Sequence, residues 1–582
     1  MSRGLCWMLN GLSVLLNGAN PRGLQRAAKS MARQRFLPAS RFEWDGGTLR
    51  AWAHPAQQES ENFELRADSG VAWCVGPIWY RGRFGNAALG LLLDDCAATG
   101  IDEMELRGNF ALFLRTRDQC LLVNDALGLV RLYVSPDGFF YSTSWLATCA
   151  YTGPVELEEA AAAEYVLLGA SHSDRTVARG VATLSIGHAF DLARGGKQAR
   201  LSNRVWAGSV PTSFDAAVDE IRGHLQVVFK EIAAAFPDRT RAALSGGFDS
   251  RLIVAGLLAS GNRPGLFVYG DAGSEDIPVA RTVADSVGMP VQVIDKNVLN
   301  RQAPAPDIEH LVDSALFFDG LPNDGVHDPG ADRQTRLEQN AGGRVALNGG
   351  GGEIFRNFFH LPDRTLHVLG IVRAFYRGFD PKVFRHPRGL ASYEDDLVSS
   401  IGRTLGFETV SARRPLRREE VELLYPLFRC HHWMAVNNSV GVRHGYFATP
   451  LVDLTSVRLA CRLPLAWKNA GKLESRLVAE LHREIASQPS TYGFRFSDGP
   501  DLRARFAEWL MCMRPVSLRP YINAARRRIH KLHVAPEFIA HCRAILPGEW
   551  RLDPILDLAR LPDNQALARA LSVEVVWREL LA

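Results

Sequence analysis

The chain has 582 residues, 47% of them hydrophobic and 22% charged, with a formal net charge of +4. That length exceeds one ordinary core and predicts two or three domains. The composition is that of a soluble globular protein without internal repeats or low-complexity tracts, and so small a net charge does not point to nucleic acid.

The N-terminal run "GLCWMLNGLSVLL" is the one passage with the look of a signal sequence, but it has a single Arg before it and no small-residue cleavage site after it. It reads as interior structure. No run approaches the roughly eighteen apolar residues of a membrane helix. Nine cysteines (6, 74, 96, 120, 149, 430, 461, 512 and 542) are scattered, odd in number and never spaced C-x-x-C. "RCHHW" at 429–433 lacks a second ligand cluster nearby in sequence, so no zinc site is expected. Free thiols point to the cytoplasm.

Residues 40–145 read mainly as short β segments: "LRAWAHP", "VAWCVGPIWY", "NFALFLRT", "CLLVND" and "RLYVSPDGFFYSTS", with "SPDG" as a hairpin turn. Near 195–213 the pattern changes, which places a boundary near residue 205, with domains 1–205 and 206–582. Val218, Ile221, Leu225, Val228 and Ile232 then follow helical spacing. In "RTRAALSGGFDSRLIVAGLLAS", a short strand at Arg241–Leu244 hands over to a helix covering Leu252–Leu258. Ser245, Gly246, Gly247 and Ser250 lie at the junction, where unpaired N–H groups and the helix dipole favour an anion. Asp249 suits such a place when Mg²⁺ lies between it and phosphate. The stretch is not a G-x-x-x-x-G-K-[ST] P-loop, since no Lys follows the glycines. "GLFVYGDAGSEDIPVARTVADSVGMPVQVID" gives a second strand, a helix opened by Asp276, and a third strand. Such alternation predicts a parallel sheet. Beyond about 365 the pattern is mostly helical. "AARRRIHKLH" near 530 reads as a solvated helix face, with a patch for an acidic peptide or nucleic acid as the alternative.

The S-G-G-x-D-S string resembles the pyrophosphate loop of the N-type ATP pyrophosphatases, in particular the asparagine synthetase family. "LRGNFALFLRTRDQCLLVNDALGLVRLYVSPDGFFYSTS" is similar to the later half of that family's glutaminase domain. The resemblance spans nearly the whole chain. It implies an N-terminal Ntn-hydrolase-like domain of stacked antiparallel sheets and a C-terminal PP-loop domain with a parallel sheet, an α/β and α+β architecture. It also implies an enzyme that uses ATP and Mg²⁺ to adenylate a carboxylate, which an amine then attacks.

The family's glutaminase needs an N-terminal Cys, whereas here Met1 is followed by Ser2 and the nearest thiol is Cys6. The R-G-P-D string is absent after "MARQRF", and Val75 and Tyr80 stand where the family has two asparagines. A structural remnant is expected, as in β-lactam synthetases and lasso-peptide macrolactam synthetases, where the substrate supplies the amine.

For the synthetase site, the resemblance assigns Leu244, Ser245, Gly246, Gly247, Asp249, Ser250, Val268, Gly270, Gly349 and Gly350 to the nucleotide, with Val268 and Gly270 under adenine. "VALNGGGGEIFRNF" resembles the family's S-G-E-G-A-D segment, which makes Asp249 and Glu353 the metal ligands and leaves Gly350 where a base would stand. "TPLVD" and "GKLESRLVAELHREI" match further family segments. Arg495 and Lys472 are the candidate cations for the α-phosphate, and Glu353, Arg495 and Lys472 are the expected catalytic residues.

The function expected is an ATP-dependent amide ligase joining a small-molecule or peptide carboxylate to an amine donor, in natural-product or polysaccharide assembly. An asparagine synthetase acting on aspartate is the alternative within the class. A tRNA-modifying pyrophosphatase and a catalytically degenerate binding protein are the alternatives outside it. Neither a membrane nor a nucleic-acid partner is expected, and oligomeric state cannot be read from the sequence.

Overall fold

The computed structural model describes residues 8–56, 63–98, 100–200, 209–303, 305–407, 409–522 and 533–582. The readings of Ser2 and Cys6, the boundary near 205 and nearly all of the basic run near 530 lie outside the described residues.

The front of the chain forms two six-stranded antiparallel sheets. Leu9–Leu16 lies in the first, between Phe140–Ser142 and Gly47–Ala53. Every residue of this strand is buried, as is Met8, so the described part of the N-terminal apolar run is interior structure. Gly70–Val75, Ala111–Arg115 and Cys120–Asn124 are neighbours in the second. Leu12, Val14 and Leu49 of one sheet share a buried cluster with Trp73, Phe113 and Leu122 of the other, so the sheets pack face to face. The "SPDG" turn closes with the Gly138 N–H donating to Ser135 O at 3.0 Å, Gly138 taking a φ of 73°. The β reading of 40–145 misses the helix Asn86–Ala98.

The rear half is built on a five-stranded sheet whose pairings are all parallel. From edge to edge it runs Val291–Ile294, Gly265–Tyr269, Thr240–Ala243, Val345–Leu347, Tyr446–Ala448. The first strand in sequence is therefore central. The chain adds two strands on one side of it and then returns to add two on the other. Val218, Ile221, Leu225, Val228 and Ile232 form the buried stripe of the helix Phe214–Ala235. One buried cluster includes Leu89 and Leu112 of the front half together with Ile221, Ala242 and Leu252 of the rear. The halves are further joined where the Thr449 N–H donates to Asn109 Oδ1 at 2.6 Å. No helix among the described residues is long and apolar enough to cross a membrane.

Candidate active site

A parallel sheet that grows in both directions from a central strand has a crevice where the chain reverses, outside the carboxyl ends of the strands. Here that point lies between Thr240–Ala243 and Val345–Leu347, and the two loops leaving these strands are 244–247 and 348–351. They are the two glycine-rich motifs of the sequence.

The helix after the first loop begins at Phe248, earlier than Leu252, and runs to Ala259 with Gly247 as its N-cap and no side-chain cap. Its first turn, which carries Asp249, therefore opens into the crevice. The loop is held by its own serines: the Ser245 N–H donates to Ser250 Oγ at 3.1 Å, and the Gly247 N–H to Ser245 Oγ at 3.2 Å. The Gly246 N–H donates to Asp276 Oδ1 at 2.8 Å, so Asp276 contributes its carboxylate to the loop as well as opening its own helix. Gly246 admits no side chain, because a Cβ would overlap Thr491. Phe248 stacks on Tyr492 and Phe496 with ring centroids 4.3 and 4.5 Å apart, which lays the segment after Ser490 across the loop.

The second loop meets the first closely. A Cβ on Gly349 would lie 3.5 Å from Asp249 Cβ, and one on Gly352 would overlap Asp249 Oδ1. Gly351 is the glycine the backbone requires, with a φ of 99° and Val452 against it. Gly350 has no positive φ; the room for its side chain is taken by Met434 Cε, 2.9 Å from where a Cβ would stand. Glu353 follows on a short 3₁₀ turn. Its Oε2 accepts from the Gly351 N–H at 3.0 Å and from the Tyr425 hydroxyl.

Between the loops lies Arg356. Its guanidinium is 2.8 Å from Asp249, 3.4 Å from Glu353 and 3.1 Å from Glu474. Burial opposes its charge, but Glu474, Asp249 and Glu353 together raise it above the ordinary arginine range. Glu474 is fully buried; burial first, and then the Asp249 charge, push its carboxyl well above the usual carboxylate range. Asp249 Oδ1 and Glu474 Oε1 are buried and take no hydrogen bond from any other described residue, and a side-chain hydrogen bond between the two acids raises the Glu474 carboxyl further. Asp249 Oδ1, the oxygen that Arg356 does not take, is a hard donor of the kind Mg²⁺ takes. The residues thus fit a magnesium ion on Asp249, with Arg356 neutralising the remaining charge.

Asp249, Glu353, Gly349 and the Ser–Gly loop therefore come together, while two expected cations do not join them. Arg495 is exposed between the buried Phe494 and Phe496, and its side chain makes no hydrogen bond or ion pair among the described residues. Lys472 opens the helix Lys472–Leu481 with its ammonium 4.4 Å above the Phe214 ring. Residues two apart on a helix point about 200° apart, so Lys472 faces out where Glu474 faces in. Leu244 is buried, and its N–H donates to Phe267 O at 2.8 Å. Val268 is buried beneath the end of its strand, and the Gly270 N–H donates to Ile294 O at 3.2 Å.

In the front half, Val75 is buried in the sheet-to-sheet cluster, and buried Tyr80 donates its hydroxyl to Asp95 at 2.5 Å. Neither offers an amide to a ligand.

No protein-family model and no curated protein matches the chain. Among solved structures it is similar to glutamine phosphoribosylpyrophosphate amidotransferase from B. subtilis complexed with ADP and GMP, at 11% identity and a TM-score of 0.22. That match covers 49% of this chain and 65% of the other, so the chain spans just under two thirds of it. It is also similar to a structure described as the allosteric regulatory enzyme of purine biosynthesis, at 10% identity and a TM-score of 0.23 over 51% of this chain and 81% of that one.

Proposed function

We propose that the chain is an ATP-dependent amide-forming ligase that adenylates a carboxylate and passes the acyl group to an amine, without glutamine hydrolysis. Residues 1–205 are on this reading a glutaminase-like support, and 206–582 the synthetase. The observation that carries it is the meeting of the Ser–Gly loop, an uncapped helix N-terminus and Asp249 with Glu353 across the crevice at the sheet's reversal point.

In the first step a substrate carboxylate oxygen attacks the α-phosphorus of ATP and the bond to pyrophosphate breaks. The uncapped helix N-terminus binds the departing phosphates. A magnesium ion held by Asp249 and Glu353 would neutralise charge on the leaving pyrophosphate. In the second step the amine attacks the acyl carbon and AMP departs. Gly350 has no side chain to take the amine's proton, which leaves to solvent water; Glu474, pushed toward its neutral form, does not take it. The acid is a small-molecule or peptide carboxylate, and use of ATP together with free thiols favours a cytoplasmic enzyme.

A second reading is supported by Arg356. A guanidinium already paired with all three carboxylates is also what a degenerate, metal-free binding protein would contain. Product analysis separates the two. Wild-type protein incubated with labelled ATP, Mg²⁺ and a panel of amino, peptide and sugar acids, with hydroxylamine as acceptor, forms AMP and a hydroxamate if the ligase reading is right. Formation of ADP, or intact ATP with every acid, would refute it.

A further inference from the structure

We propose that His360, Glu508 and Cys512 form a zinc(II) site whose fourth position opens into a cleft beside the synthetase loop. The site joins two segments distant in sequence: Glu508 and Cys512 lie one turn apart on the helix Leu502–Met513, and His360 follows the second glycine-rich segment. Their donor atoms all lie within 4.8 Å of one another. A tetrahedral zinc with bonds of about 2.0–2.3 Å needs donors roughly 3.3–3.7 Å apart. His360 Nδ1 and Glu508 Oε1, at 3.2 Å, are already close to that spacing.

The residues behind these donors are arranged as supports. Asn357 donates from Nδ2 to Cys512 Sγ at 3.3 Å, while its Oδ1 accepts from Arg418 at 2.8 Å, which fixes the amide with its N–H on sulfur. An N–H donated to sulfur favours the thiolate, the form that binds metal. Glu508 is buried, and its Oε2 accepts from the Ala470 N–H, leaving Oε1 for the site. His360 is held in the left-handed region at a φ of 45°, and Arg519 clamps the carbonyls of Phe359 and His360. The Cys512 thiol gives up one proton when it binds metal as the thiolate.

Metal binding releases that one thiol proton to solvent. The His360 proton moves from Nδ1 to Nε2, and the zinc gains one nitrogen, one oxygen and one sulfur bond. Three protein ligands leave one position open. Glu508 and Cys512 both line a cleft of about 780 Å³, walled by Phe496, Phe506 and Trp509, so a carboxylate or thiolate entering it could complete the shell. This site shares no residue with the carboxylates around Arg356, and its existence does not depend on the ligase reading.

The test uses the full chain, dialysed free of metal and titrated separately with ZnCl₂ and CoCl₂. One zinc per chain is expected. The cobalt form is expected to show tetrahedral visible bands and a near-ultraviolet thiolate-to-cobalt band. Cys512→Ser removes the thiolate band, whereas Cys96→Ala retains it. Glu508→Gln and His360→Asn each weaken zinc binding by about 10-fold or more; Asn tolerates the positive φ, so the His360 variant keeps the backbone. Circular dichroism checks that each variant is folded. A wild-type chain that binds no cobalt, or a thiolate band that survives Cys512→Ser, overturns the proposal.

Discussion

Replacing Arg356 by Met removes the one cation between three carboxylates while preserving much of the buried stem. Taking one partner from a buried ion pair costs about 3–5 kcal/mol. The lower end applies here, because Glu474 is pushed toward its neutral form and only two full charges are uncovered. With the two halves sharing one core, unfolding entropy of about 2.1 cal/mol/K per residue over the 582 residues makes 3 kcal/mol a fall of about 2.5 °C in Tm. The variant frees further oxygens for a cation, so Mg²⁺ at ten times its Kd should return about 1.4 kcal/mol, about 1 °C, with a smaller response in wild type. Arg356→Lys should recover only part of the loss, since a point charge cannot span three carboxylates in the way a guanidinium does. The assay is thermal unfolding of the three proteins across a magnesium titration. An Arg356→Met protein as stable as wild type and unresponsive to Mg²⁺ would refute the reasoning.

Glu353→Asp should pull its carboxylate back by about 1.5 Å, one carbon–carbon bond, and Glu353→Gln removes its charge. Both should raise the magnesium concentration needed for half-maximal pyrophosphate release, and an unchanged requirement would make Glu353 a structural residue. Gly352→Ala should cost at least about 100-fold in turnover by displacing Asp249; Gly351→Ala should destabilise by about 1–3 kcal/mol through its positive φ. Urea unfolding with parallel rate measurements separates these two effects. Glu474 has a folded pKa above its unfolded value, so its contribution to stability is fully present below the unfolded value of 4.5 and is lost as pH rises through the folded one. Urea unfolding between pH 5 and 8 should therefore show wild type losing stability relative to Glu474→Gln as pH rises; parallel curves would contradict this.

Strands with a turn signal at each end were legible in the sequence, as was the strand-to-helix handover at the Ser–Gly loop, because local backbone chemistry sets both. The helix Asn86–Ala98 was not legible. Its run "NAALGLLLDDCAA" buries Ala88, Leu89, Leu92, Leu93 and Cys96 but carries apolar residues on most faces, so no 3.6-residue stripe stands out from a region of strands. Asp249 and Glu353 could be proposed as partners from motif alone. Arg356 and Glu474 could not: "GEIFRNF" and "GKLES" give no sign that one guanidinium and one fully buried carboxyl meet 118 positions apart. The i, i+3 spacing of Glu353 and Arg356 was the only local hint. In the second segment the attention given to Lys472 hid Glu474, although helical geometry puts the two on opposite faces. His360, Glu508 and Cys512 were invisible for the same reason, since spacing rules find metal ligands only when they are neighbours in sequence.

The central claim is that the crevice beside Asp249 binds a magnesium polyphosphate. Calorimetric titration of Mg·ATP into wild type and Asp249→Ala tests it without knowledge of the acid or the amine. Saturable binding to wild type is expected, requiring Mg²⁺ and weakened at least about 100-fold in Asp249→Ala, a loss of about 2.7 kcal/mol. Equal affinity in the two proteins, or binding indifferent to Mg²⁺, would contradict it.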